Sequence, residues 1–186
     1  TGPSGTTTIT QHEWHHIAVC RSSGSYYMFL DGVSQSYTGD ALAATLTSTA
    51  TRRIGHWDEF NNAYPWYFPG YIANLRHTNE ALYTSNFTPS TSPLTTTSQG
   101  ASSANVALLT CQSNRFVDNS DNGIAITPNN GVKVQPFNPF TTDYNTVDGS
   151  GYMGTSGYLL TATDTAFQLG SGNFTIEWWY YLTSAV

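Results

Sequence analysis

The sequence predicts an all-β fold of the antiparallel β-sandwich type, and three observations support this prediction. Aromatic residues make up 14% of the 186 residues and charged residues only 10%, a composition that favours strands over helices. Short alternating or apolar runs recur along the whole chain, and polar turns rich in Gly, Asn and Ser separate them. The third observation is the run FTIEWWYYL at 174–182, the most apolar part of the sequence.

The first half of the chain predicts a hairpin and two further strands. In EWHHIAVCR (13–21), Trp14, His16, Ala18 and Cys20 share one face of an alternating strand, so His15 and His16 face opposite sides. The turn SSGS and the returning run YYMFLDG complete the hairpin. RRIGHW (52–57) and GYIANLRHT (70–78) are predicted as the next strands. The only helical signal is NEALYTSNF (79–87), where Asn79 could cap one short turn before Pro89.

The second half begins with a loop and then alternates short strands with turns. The uncharged, Pro/Ser/Thr-rich run at 88–103 is typical of a loop or linker. VALLTC, GIAIT and GVKVQPF, between 106 and 137, predict three short strands. A Gly-rich loop at 144–157 leads to YLLT (158–161) and then to the apolar run at 174–182. Many short strands separated by polar turns indicate a sandwich.

The last apolar strand carries large side chains on both faces. One face has Phe174, Ile176, Trp178, Tyr180 and Leu182, and the other has Thr175, Glu177, Trp179 and Tyr181. A strand of this kind is expected to be central in its sheet and covered on both sides.

Charge and hydropathy narrow the range of partners. The formal net charge is −6, so binding to a nucleic-acid backbone is not expected. No run of 18 apolar residues exists, and no membrane span is predicted. The two cysteines, Cys20 and Cys111, lie in apolar runs and are interpreted as buried free thiols, with a single disulfide as the alternative.

Three segments together resemble modules of the laminin G-like, concanavalin A-like jelly-roll family. GYLLTATDTAFQLGSGNFTIEWWYYL is similar to the opening of such a module, EWHHIAVCRSSGSYYMFLDGV to its later hairpin, and GYIANLRHTNEALYTSNFTPSTSPL to its closing strand and exit. The runs at 108–127 and 132–140 resemble the spacer between modules in large phage and marine bacterial surface proteins. The resemblance implies a jelly roll and a non-enzymatic structural or adhesion protein of a virion or cell-surface filament, outside the cell.

The order of these segments departs from the family, because the later half of the module comes first. We therefore predict the C-terminal half of one module at 1–97, a small β spacer at 98–140, and the N-terminal half of a following module at 141–186. The two halves are expected to belong to different sandwiches, which other copies or neighbouring modules of the protein would complete. The alternative is a single, circularly permuted module. The chain, which starts TGPSG, is expected to be a processed chain or part of something longer.

The best candidate for binding is the aromatic loop GHWDEFNNAYPWYFPGY at 55–71. Sugar rings have apolar C–H faces and polar edges, so aromatic platforms flanked by amide and carboxylate groups suit them. The loop is therefore predicted to bind a surface glycan. Packing or a protein interface is the alternative, since both also use aromatic residues. The predicted ligand-binding residues are Trp57, Asp58, Phe60, Asn61, Asn62, Tyr64, Trp66 and Tyr67.

Other kinds of site have weaker signals. No cofactor is predicted except Ca²⁺, which the oxygen-rich stretch RFVDNSDNG could hold through Asp118, Asn119 and Asp121. The alternative there is a plain Asx-rich turn. A polysaccharide-degrading glycoside hydrolase, or the carbohydrate-binding module of one, is the alternative function, but such enzymes need paired carboxylates. Glu177 lacks a carboxylate two residues away and is interpreted as hydrogen-bonded within the sheet.

Overall fold

The computed structural model describes residues 4–5, 7–38, 50–59, 64–143 and 147–184, with only the backbone at 4–5, 37–38, 58–59 and 64–65. In these ranges the chain forms fifteen strands and three short 3₁₀ helices, at Ser98–Gly100, Ser103–Asn105 and Thr165–Phe167. None of the described helices is long and apolar enough to cross a membrane. The strands are β1 (Ser4–Gly5), β2 (Trp14–Ser22), β3 (Ser25–Leu30), β4 (Val33–Gln35), β5 (Tyr37–Thr38), β6 (Arg53–Ile54), β7 (His56–Glu59), β8 (Tyr64–Tyr67), β9 (Gly70–Thr78), β10 (Val106–Thr110), β11 (Ile126–Asn129), β12 (Lys133–Gln135), β13 (Ser150–Tyr152), β14 (Tyr158–Thr161) and β15 (Phe174–Leu182).

An antiparallel sheet of eight strands dominates the molecule. Its order is β12-β13-β9-β15-β2-β3-β4, and β10 also pairs with β9. Smaller pairings are β1 with β5 and β7 with β8, and a second sheet has the order β11-β14-β6. The all-β prediction is confirmed.

Strand β15 lies at the centre of the large sheet, between β2 and β9. It pairs with β2 from Phe174 opposite Arg21 to Tyr181 opposite Trp14. On its other edge it pairs with β9, from Thr175 to Leu182. The prediction that 1–97 and 141–186 belong to different sandwiches is therefore wrong, because strands from both segments hydrogen-bond into one sheet of the same chain.

Residues 98–140 do not form a separate β unit either. Strand β10 pairs with β9, and β12 pairs with β13, so both extend the large sheet. Strand β11 pairs with β14 in the smaller sheet. The predicted spacer thus adds strands to both sheets and joins the two halves, since its short apolar runs find partners on either side.

The smaller sheet covers one face of the large one, which gives the sandwich its two layers. The interlayer cluster includes Ile54 of β6, Ile72 of β9, Leu108 of β10 and Leu159 of β14. Phe167 of the third 3₁₀ helix is also fully buried there. Burying side chains of this size stabilises the fold by roughly 1.5–3 kcal/mol each.

The long connection between β9 and β10 covers the opposite face. Leu94 and Ala101 from this connection pack against Ala73 of β9, Leu109 of β10 and Trp179 of β15. Strand β15 is therefore covered on both faces, as its pattern predicts.

The predicted helical turn at 79–87 does not form. The Asn79 side chain instead donates to the carbonyl of Ala166. Long-range packing, rather than local helical hydrogen bonds, determines this segment.

A buried ionic cluster anchors the long connection to the sheet. Glu177 Oε1 accepts from Nε and Nη2 of Arg76 at 2.9 and 2.5 Å, and Oε2 accepts from the Tyr83 hydroxyl at 2.8 Å. His16 Nε2 lies 3.2 Å from Oε2. Arg76 Nη1 donates to the carbonyls of Thr95 and Ser98 in the connection. The interpretation of Glu177 as hydrogen-bonded within the sheet is confirmed.

The electrostatic surroundings of Glu177 favour its charged form. Burial alone would raise its pKa, but the hydrogen bonds from His16 and Arg76 and the positive charge of Arg76 outweigh burial, and the pKa is lowered.

Both cysteines are buried free thiols, as predicted. Cys20 Sγ lies 3.1 Å from the Thr175 hydroxyl on the neighbouring strand. Burial raises the pKa of the Cys111 thiol to about 12.

Candidate functional site

A cleft of about 490 Å³ opens at the edge of the two layers. Ile54, Ile72, Leu75 and Trp178 line its floor, and the indoles of Trp57 and Trp66 stand at its mouth. The floor residues belong to the interlayer core or pack against it. The cleft therefore leads from solvent into the apolar interior of the sandwich.

A short hairpin, β7–β8, carries the two mouth tryptophans. Trp57 and Trp66 are directly opposite each other in its register, and residues opposite each other in an antiparallel pair lie on the same face. Their exposed fractions are 64% and 55%. The stretch 55–71 is therefore not simply the long loop that the sequence predicts, because pairing of 56–59 with 64–67 turns most of it into a hairpin.

Gly55 sets the direction in which this hairpin leaves β6. Its φ of +84° is a left-handed conformation, and a Cβ there would lie 3.0 Å from Cγ and Sδ of Met153. The carbonyl of Gly55 accepts from the backbone N–H of Phe68 at 2.9 Å, which closes the base of the hairpin. Position 55 therefore requires Gly for two reasons, its left-handed backbone conformation and the nearby side chain of Met153.

The pair next to the tryptophans in the hairpin packs onto the smaller sheet. The rings of His56 and Tyr67 are 4.6 Å apart, and Tyr158 of β14 lies 5.2 Å from His56. The Arg53 guanidinium lies 5.6 Å from the centre of the Tyr158 ring. Partial burial and then the charge of Arg53 lower the pKa of His56, which favours its neutral form.

The structure brings three of the predicted ligand-binding residues together, namely Trp57, Trp66 and Tyr67. Asp58 lies in β7 and Tyr64 in β8, and the structure describes only the backbone of these two residues. Phe60, Asn61 and Asn62 lie outside the described residues.

The predicted ligand-binding residues leave out eight others that line the cleft, namely Arg53, Ile54, Gly55, His56, Phe68, Ile72, Leu75 and Trp178. Six of these, from Arg53 to Ile72, lie within the predicted stretch 55–71 or close beside it, so its aromatic content was the available signal. Trp178 comes from β15, and only the pairing of distant strands places it there.

The oxygen-rich loop predicted to hold Ca²⁺ is tied to strand β10 by hydrogen bonds. The Asp118 carboxylate accepts from the backbone N–H groups of Leu109, Ser120 and Ile124 at 2.8–3.0 Å. Asn119 donates its side-chain amide to Gln112. Among the residues that the structure describes, no group of three or more His, Cys, Asp or Glu could hold a metal ion. These bonds support the Asx-turn alternative, and Ca²⁺ binding by Asp118, Asn119 and Asp121 stays an untested prediction.

The two adjacent histidines of β2 face opposite sides, as predicted. His16 joins the Glu177 cluster, whereas His15 lies between Asp31, 2.7 Å from Nδ1, and Thr10, 2.7 Å from Nε2. This order of groups resembles a nucleophile–base–acid chain. However, the Thr10 hydroxyl also donates to Glu13, so its proton is directed away from His15. The arrangement fastens the segment before β2 to the β2–β3 hairpin.

Comparisons with protein-family models, with curated proteins and with solved structures gave no match.

Proposed function

We propose that this protein is a non-enzymatic carbohydrate-binding protein, and that its cleft holds a sugar ring against Trp57 and Trp66. The observation that carries the proposal is the pair of exposed indoles on one face of the β7–β8 hairpin, at the mouth of the cleft. Indole faces are apolar and electron-rich, and they match the C–H faces of sugars. A pair of them fixed by strand pairing is already in position before the ligand arrives, which reduces the entropy lost on binding.

The wider role that we propose is adhesion or assembly at the surface of a virion or cell. The resemblance of three segments to laminin G-like modules supports it, as does the acidic net charge of −6, which disfavours nucleic acid. In such a role other copies or neighbouring modules of the same protein would be partners, and the cleft would present the glycan-binding surface.

The position of the carboxylates supports a binding role over hydrolysis. A glycosidase places two carboxyl groups on either side of the scissile bond. The described side chains that line the cleft include no Asp or Glu. Glu177 belongs to the ionic cluster under the long connection, and its side chain is only 1% exposed.

A glycan array with the full chain tests the proposal, and the key variant is Trp57→Ala/Trp66→Ala. Loss of both platforms should weaken binding at least tenfold, equivalent to about 1.4 kcal/mol. Both side chains are exposed, so the far-ultraviolet circular dichroism should not change. Val147→Ala, which trims another exposed apolar side chain (70% exposed), should bind like the parent protein.

Two results would contradict the proposal. If the double variant keeps its affinity, the sugar platform lies elsewhere on the protein. If no glycan binds and the variant instead loses self-association, the tryptophans form a protein interface.

A further inference from the structure

The cleft changes in chemistry between its mouth and its floor. At the mouth, Trp57 and Trp66 are more than half exposed. On the floor, Ile54 and Ile72 are 6% and 4% exposed and belong to the interlayer core, and Leu75 packs against that core. The two ends of the cleft therefore suit different chemical groups.

A bare sugar fits only the mouth. Its hydroxyl groups lie around the ring, and those pressed against Ile72 or Leu75 would lose their water without gaining a hydrogen-bond partner, which is unfavourable. An aliphatic or aromatic group on the floor loses no hydrogen bonds and removes apolar surface from water. The volume of about 490 Å³ is within the range of roughly 300–1,000 Å³ for small-molecule sites.

The third tryptophan of the cleft connects these two regions. Trp178 is half-buried on β15 and packs against the interlayer core, yet it also lines the cleft. It adds an aromatic ring to the otherwise aliphatic floor, and an apolar group attached to a sugar at the mouth would pass over this ring.

We infer that the ligand is a glycoside with an apolar aglycone. The sugar ring lies against Trp57 and Trp66, and the apolar group extends over Ile54, Ile72 and Leu75. This inference rests on the proposed function, because it takes the sugar platform as given and adds what the floor binds.

The test compares matched ligands by isothermal titration calorimetry on the full chain. The probes are the methyl and octyl glycosides of glucose, galactose and mannose, together with octyl tetraethylene glycol ether, which has the chain but no sugar. All are used below their micelle concentrations. For at least one sugar, the octyl glycoside should bind at least tenfold tighter than both the methyl glycoside and the sugar-free ether.

Two variants locate the two ends of the ligand. Leu75→Trp fills the floor, so it should reduce the affinity for the octyl glycoside to that for the methyl glycoside. Leu75→Phe is the smaller replacement if circular dichroism shows that Leu75→Trp does not fold. Trp57→Ala/Trp66→Ala should lower the affinities for the methyl and the octyl glycoside by the same factor.

The outcomes separate the inference from the proposed function. If methyl and octyl glycosides bind equally and both depend on Trp57 and Trp66, the inference is overturned and the proposed function stands. If the octyl glycosides and the sugar-free ether bind equally, the sugar contributes nothing and the proposed function is overturned. If none of the probes binds, both are overturned.

Discussion

At the scale of single residues, Glu177 contributes most visibly to the fold, because one carboxylate joins three parts of the chain. It bonds to Arg76 on β9, His16 on β2 and Tyr83 in the long connection. The ion pair is enclosed, with 0% exposure of the Arg76 side chain and 1% of Glu177. A buried charge that loses its partner is strongly destabilising, whereas the intact pair is close to neutral in free energy.

Replacing this carboxylate by an amide should therefore destabilise the protein strongly. We expect Glu177→Gln to lower the free energy of unfolding by about 3–5 kcal/mol, since the Arg76 guanidinium would stay buried without its counter-charge. Urea unfolding followed by tryptophan fluorescence measures the change. The matched control, Asp121→Asn at an exposed position, should change it by less than about 0.5 kcal/mol. A loss below about 1 kcal/mol for Glu177→Gln would mean that the Arg76 guanidinium does not require this counter-charge.

A second residue-scale prediction concerns His77, whose pKa is lowered to about 4 by burial and then by the charge of Arg52. Its ring is stacked on Phe167, with centroids 5.9 Å apart. The unfolded chain takes up a proton near pH 6.5 but the folded chain only near pH 4, so stability is full above pH 6.5 and falls between these values. The loss approaches about 3 kcal/mol by pH 4.

The variant His77→Phe isolates this contribution. It keeps an aromatic ring against Phe167 but cannot take up a proton, so the decline in unfolding free energy between pH 6.5 and 4.5 should be reduced by most of that amount. Urea titrations at several pH values measure it. Glu177 does not obscure the result, because its lowered pKa makes its contribution disappear only below its ordinary value of 4.5. An unchanged pH profile in the variant would assign the decline to other groups.

At the scale of elements, the strands that the sequence predicts well are those with long alternating patterns. Strands β2, β9 and β15 each have nine residues, enough for the two faces to be read from the order of apolar residues. The three residues of β4 or β12 are too few to have a period. The sequence predicts a loop in place of the hairpin β7–β8, because its strands have only four residues each and β8 contains a proline.

The hairpin's position depends on Gly55, and alanine substitution tests this dependence with an internal control. Gly24 has nearly the same φ, +83°, as Gly55, +84°, but has no atom within 4 Å of an added Cβ. Gly24→Ala should therefore lower the free energy of unfolding by about 1–2 kcal/mol, because a residue with a side chain is strained in this left-handed conformation. Gly55→Ala should lower it further, because the new methyl group meets Met153. It should also weaken sugar binding by moving Trp57 and Trp66.

Thermal unfolding gives the two stability changes, and titration with the best glycan from the array gives the two affinities. Equal stability losses would mean that Met153 moves aside without cost. Unchanged sugar affinity in Gly55→Ala would mean that the cleft does not depend on the direction in which the hairpin leaves β6.

At the scale of the whole molecule, the sequence predicts the fold class but not which strands are neighbours. Strand β15 has large apolar side chains on both faces, so its own sequence predicts that both faces are buried. Its sequence does not predict that it pairs with β2 and β9, because both partners lie about a hundred or more positions away in the chain. For the same reason Trp178 could not be assigned to the cleft, whereas Trp57 and Trp66, nine residues apart, could be predicted as part of one site.

The buried thiols report on the integrity of this whole arrangement. Cys20 and Cys111 are 0% and 1% exposed, and the raised pKa of Cys111 keeps its thiol protonated at neutral pH. Native protein should therefore react with Ellman's reagent only at the rate of unfolding, and two thiols should react in denaturant. Mass spectrometry without reductant checks the count. A mass lower by about two units with no labelling would indicate a disulfide.

The strongest test of the fold removes β15. This strand separates β2 from β9, so a chain that ends at residue 170 would leave two half-sheets, each with an open apolar edge. It would also leave Arg76 without Glu177. We expect fragment 1–170 to show no cooperative unfolding transition, and co-expression with fragment 171–186 to yield a complex that co-purifies and regains the transition.

The matched control for complementation is the same short fragment with Glu177→Gln. It keeps every apolar side chain of β15 but lacks the charge that Arg76 requires, so the yield of complex should fall by at least tenfold. Size-exclusion chromatography measures that yield. If fragment 1–170 unfolds cooperatively by itself with stability near that of the full chain, the central position of β15 is wrong. If the two short fragments complement equally well, β15 is held by apolar burial and strand pairing alone, and the ionic cluster serves only to fix the long connection over the sheet.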